Sequence, residues 1–186
     1  MIIPRYATIG QDCGSAQHGT IRRHQGRGLL TMLSTNPSGI IDIKNTPQGL
    51  PCMGSSLQQD RMRGIMIQLQ TKFSRQVDEH NVLPEYPRPS LVRTSYLNLN
   101  GRWECAFSKT PEIPLSFDLS ILVPFSPECQ LSGVSRQLKP GEYLWYRRTI
   151  PLAKPQQDKR ILLHFGAADH TAEVFVNRIS AVRHCG

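Results

Sequence analysis

The sequence has little that would cross-link it, anchor it or thread it through a membrane. Its five cysteines (Cys13, Cys52, Cys105, Cys129 and Cys185) are odd in number, and no two stand in a Cys-x-x-Cys arrangement. Neither a disulfide framework nor a zinc ribbon is supported. The six histidines show no metal-ligand spacing either, so no metal and no cofactor are expected. No apolar run approaches the roughly 18 residues a membrane-crossing helix needs. The opening MIIPRYATIGQDCG lacks the basic region and apolar core of a secretion signal, and the compartment stays open. Asn36-Pro37-Ser38 is disqualified as a glycosylation acceptor by its central proline. Basic runs are missing as well. The net charge of +8 is spread as nine basic against five acidic residues in 1–80 and thirteen against nine in 81–186. A solvated, mildly basic surface fits this better than a nucleic-acid binder, which concentrates its lysines and arginines.

What is present divides into two unlike parts. A chain of 186 residues suffices for one ordinary domain and a short extension. Hydrophobic content of 39% with 14 Gly and 14 Pro suggests many turns and a β-rich domain with a loose segment. In residues 1–55, short apolar touches such as Leu29, Leu30, Met32, Leu33 and Ile40, Ile41, Ile43 show no sustained period. In residues 56–77, Met62, Met66, Leu69, Phe73 and Val77 recur at helical spacing. Gly64 inside that stretch costs about 1 kcal/mol relative to Ala, so the expected helix is marginal. Residues 1–70 therefore read as a poorly ordered or weakly helical N-terminal extension, and 71–186 as the domain.

Beyond residue 80 the period becomes two. In RWECAF, Trp103, Cys105 and Phe107 point one way and Arg102 and Glu104 the other, after the turn-prone Asn100-Gly101. ILVPF (121–125) is a short apolar run stopped by Pro124, as at a sheet edge or a strand end. YLWYRRTI (143–150) carries bulk on both faces and suits a strand between two packed layers. RILLHFG (160–166) and AEVFVN (172–177) alternate again. Short strands separated by Gly and Pro turns describe an all-β antiparallel sandwich or jelly roll.

LPEYPRPSLVRTSYLNLNGRWECAF (83–107) closely resembles the opening of the N-terminal sugar-binding domain of glycoside hydrolase family 2, which includes β-galactosidases, β-glucuronidases and β-mannosidases. ILVPFSPECQLSGV, LWYRRTIPL and RILLHFGAADHTAEVFVN follow in family order, so the likeness covers roughly residues 71–186. It implies a galactose-binding-like jelly roll and a parent reaction in which terminal β-D-glycosides are hydrolysed with retention. Retention needs two carboxyl groups about 5–5.5 Å apart. In the family these lie on a downstream (β/α)₈ barrel of about 250 residues, for which this chain has no room. The resemblance also implies that the sequence stops inside the sugar-binding domain, at VRHCG, where the family has a His-x-Gly-Gly-Tyr loop. Asn177-Arg178 replaces the family's Asn-Gly turn. An incomplete jelly roll would leave unpaired edges exposed unless a partner, such as a missing catalytic barrel, covered them.

No residue here is expected to be catalytic. Two are candidates for sugar contact: His184, which matches the family's loop histidine, and Asp169 in GAADH, where a carboxylate could meet a hydroxyl. Capping its own turn explains Asp169 more simply, and a packed position explains His164. Trp103, Trp145, Tyr143 and Tyr146 could form a platform for a pyranose ring, but strand positions favour core packing. Cys105 reads as a small core residue. Carbohydrate is the expected partner. A carbohydrate-binding module acting alone, or a basic interaction protein acting through residues 1–70, are the alternatives.

Overall fold

The structure is a computed structural model. It describes residues 7–12, 22–23, 29–32, 38–46, 70–85, 96–151, 160–166, 168 and 171–185. These form strands β1 (Ala7–Asp12), β2 (Arg22–Arg23), β3 (Leu29–Met32), β4 (Ser38–Thr46), β5 (Leu97–Asn98), β6 (Gly101–Ser108), β7 (Leu119–Val123), β8 (Tyr143–Pro151), β9 (Arg160–Phe165), β10 (Thr171–Val176) and β11 (Ile179–Cys185). Every strand pairing is antiparallel. The only helical pieces among the described residues are single 3-10 turns at Ser74–Gln76 and Gln130–Ser132. The chain is all-β.

One sheet runs β2-β3-β9-β1-β5 and the other β11-β10-β4-β8-β6-β7. They share a core. Ile161 and Leu163 of β9 cluster with Ile41 and Ile43 of β4, Trp103 and Cys105 of β6, Leu144 and Tyr146 of β8, and Val174 of β10. The alternation in RWECAF survives intact, with Trp103 and Cys105 buried and Arg102 and Glu104 exposed. ILVPF ends at an edge: β7 closes the six-stranded sheet. The strand β8 is interior and buried on both faces, with Leu144, Trp145 and Tyr146 at 1%, 0% and 1% exposure.

The lead-in to β6 explains its own sequence. Asn98 accepts the backbone N–H of Asn100 at 2.8 Å, an Asx turn, and its amide donates to the Leu83 carbonyl at 3.0 Å. The Asn100 amide donates to the Val82 carbonyl at 3.3 Å. Arg102 pairs with Glu79. The two asparagines thus tie segment 79–83 against the start of the strand. The Trp103 indole N–H donates to the Leu99 carbonyl at 2.8 Å, as a buried indole must find an acceptor.

The expected extension is corrected in two respects. The described part of residues 1–70 is strand rather than loose or helical chain: β1 and β3 flank β9, and β4 lies between β8 and β10. Its alternation, Ile41 and Ile43 inward against Asp42 and Lys44, is a strand pattern too short to register as a period over a longer window. The helix expected over 56–77 lies mostly outside the described residues. Its described end, 70–77, holds only the turn at Ser74–Gln76, because Ser74 Oγ accepts the Thr71 N–H at 3.0 Å and Phe73 stays 59% exposed. Local side-chain bonding and an unburied apolar face leave nothing to propagate a helix.

Candidate functional site

Of the two sugar-contact candidates, Asp169 lies outside the described residues. His184 is exposed on the edge strand β11, where it pairs across to Ala172. Thr171 pairs with Cys185, so the start of β10 and the end of β11 share one end of the sheet. His164 is half-buried on β9. Trp103, Trp145 and Tyr146 are buried, at 2%, 0% and 1% exposure, and present no open platform; Tyr143 is half-buried.

The densest polar constellation lies on the outer face of the six-stranded sheet. Lys44 of β4 reaches Glu173 of β10 at 2.8 Å, and its ammonium sits 5.9, 5.6 and 5.7 Å from the ring centroids of Tyr143, Trp145 and Phe175. An ammonium over aromatic faces is attracted by their negative quadrupole. The Trp145 and Phe175 rings are themselves in tilted contact, centroids 5.5 Å apart. Ser180 donates to the second Glu173 oxygen at 2.8 Å. Burial opposes ionisation of Glu173, but the hydrogen bonds from Lys44 and Ser180, with the charges of Lys44 and Arg183, outweigh it and hold its pKa below the usual carboxylate range.

One row away, the Arg147 Nε donates to the fully buried Asp42 at 2.6 Å. The loop between β6 and β7 folds over this face: the Phe117 ring lies 3.9 Å from the Arg147 guanidinium, and the Pro111 carbonyl accepts from Lys44 at 3.4 Å. Trp145 lies on the same face, against the Lys44 ammonium and the Phe175 ring.

The arrangement is a mutually paired polar and aromatic patch, and its Glu173 carboxylate is poorly made for proton transfer. Glu173, Asp42, Glu142 (2.7 Å from Arg136) and Glu79 (on Arg102) each face a cation. For Glu173 this pairing favours the ionised carboxylate, which is the wrong state for a general acid. Among the described residues no three His, Cys, Asp or Glu side chains converge as a metal-ligand set. The half-buried Tyr143, Phe175, Lys44 and Glu173 offer ring faces, a donor and an acceptor side by side. Sequence reasoning missed this patch because Lys44 comes from a segment with no visible period; the signal was the Ile-Asp-Ile-Lys alternation. No protein-family model matches the chain, and no curated protein matches it significantly.

Proposed function

We propose that the chain is the sugar-binding domain of a family 2 glycoside hydrolase, built as a galactose-binding-like jelly roll. The parent reaction is hydrolysis of terminal β-D-glycosides, and this chain contributes recognition rather than bond cleavage. One observation carries the reading. The four blocks that resemble the family fall in order on consecutive strands: GRWECAF on β6, ILV on β7, LWYRRTIP on β8, and RILLHF and AEVFV on β9 and β10. His184, by resemblance, and Asp169, by its place in the GAADH loop, stay the candidates, and the Lys44–Glu173 patch with Tyr143 and Phe175 adds a place where hydroxyls could be met.

Calorimetric titration with β-galactosides and β-glucuronides tests binding, and chromogenic forms of the same sugars test turnover. Millimolar or tighter binding without turnover is expected, weakened by Glu173→Ala. Folded protein that binds neither sugar would remove the recognition role. Turnover that survives further purification would overturn the division between recognition and cleavage.

A further inference from the structure

We propose that residues 38–46 act as a donor strand, and that the gap between β8 and β10 is a strand-binding slot whose walls read the order of charges along it. β4 has no hairpin to either neighbour. Asn45 pairs with Leu144 and Ile41 with Val176, both far along the chain, and residues 47–69 separate β4 from the next described segment. Without it, β8 and β10 would stand two strand spacings apart, about 9.5 Å, too far to bond each other. Two interior edges would be left open, and Arg147 and Glu173 would lose their ion-pair partners Asp42 and Lys44.

The slot specifies its register twice. Slipping β4 by one residue turns Ile41 and Ile43 out of the shared core. Slipping it by two keeps them inward but meets the walls. On β8, Arg147 faces Asp42; on β10, Glu173 faces Lys44. A two-residue slip one way sets Lys44 against Arg147, and the other way sets Asp42 against Glu173. Like charges directly opposite are destabilising in either case. Asn177 closes one end: its Oδ1 accepts from the Ile40 N–H at 2.9 Å, and its own N–H donates to the Ile40 carbonyl at 2.8 Å. The ligand is therefore an extended Ile-Asp-Ile-Lys strand, and the occupant is this chain's own.

The test uses the full chain with a protease site placed within 47–69 and cut after folding. The two pieces are expected to co-elute on gel filtration, and a labelled peptide of residues 36–48 to exchange into the cut protein. A peptide of identical composition but reversed charge order, Asp42→Lys with Lys44→Asp, should compete at least tenfold less well. Equal competition would overturn the charge reading. Release of the N-terminal piece, with the remainder keeping its β circular dichroism and cooperative unfolding, would overturn the donor role. The uncut chain provides a second measurement: the reversed order should lower the thermal midpoint by more than about 5 °C, and an unchanged midpoint would sink the proposal.

Discussion

Asp42 and Arg147 face each other across β4 and β8, carboxylate to Nε at 2.6 Å, with Asp42 wholly buried and Arg147 roofed by the ring of Phe117. One Asp42 oxygen and one Arg147 Nη have no hydrogen-bond partner among the described residues. The pair is thus desolvated without being fully satisfied, and its two members differ: the Arg147 side chain keeps 16% exposure. Removing one partner of a buried pair strands the other charge.

Asp42→Ala should therefore destabilise by about 3 kcal/mol, the low end for a buried pair because Arg147 retains some water. Replacing both by apolar side chains of similar volume should cost much less, since the unmet desolvation disappears with the charges. Urea titrations of the single and double variants check the difference.

The turn joining β10 to β11 invites the opposite result. Asn177 and Arg178 have φ of 50° and 67°, the pair of left-handed conformations a tight hairpin requires. Asparagine tolerates this; arginine has no local hydrogen bond to offset the clash of its Cβ, which costs about 1–2 kcal/mol. Arg178→Gly relieves it, less the extra freedom glycine gains in the unfolded chain. A net gain of about 0.5–1 kcal/mol and a melting temperature about 2 °C higher are expected. Asn177→Ala should lose stability, because it removes the bond to Ile40 as well as the tolerance.

What the sequence made legible was local. RWECAF, YLWYRRTI and AEVFVN announce strands because each alternates against a single core, and the double bulk of YLWYRRTI anticipated burial on both faces. The Asn177-Arg178 departure from an Asn-Gly turn was visible, but the left-handed φ of both residues was not. What stayed hidden depended on pairing between distant segments. SGIIDIKNT alternates for only a few positions, and nothing within it says that its partners are Leu144–Pro151 and Thr171–Val176. The Lys44 patch and the interior place of β4 in the sheet were hidden by the same fact. The strand that fills the place between β8 and β10 comes from residues 38–46, outside the stretch read as the domain.

Gly101 begins β6 with φ of 118°, where L side chains rarely go. A Cβ added there would find only ordinary contacts, 3.7 Å to an Arg148 nitrogen and 3.8 Å to the Glu79 carbonyl. The cost of Gly101→Ala is then conformational rather than steric, about 1–2 kcal/mol. Its effect should reach segment 79–83, since the asparagines either side of Leu99 hold that segment. Hydrogen exchange around residues 79–83 should quicken in the variant while the amides of β10 keep their protection.

The core also carries an alkaline liability. Cys105 is fully buried on β6, and burial pushes its thiol from 9.0 up to about 12, the Arg136 charge only partly opposing. The native state holds the proton more tightly than the unfolded state, so stability is intact below about pH 9 and falls as the pH climbs from 9 towards 12. One proton's difference gives a slope approaching 1.4 kcal/mol per pH unit. Tyr146 acts in the same direction above pH 10: burial raises it first, with Cys105 and Glu128 adding to the effect. Urea midpoints at pH 8, 9 and 10 should decline progressively, and Cys105→Val should flatten the 9-to-10 step. The same burial predicts reactivity. At pH 8 a thiol reagent should modify the exposed Cys185 promptly and Cys105 only on unfolding. Labelling of Cys105 in folded protein at the rate of Cys185 would show that the interior between the two sheets is open to solvent.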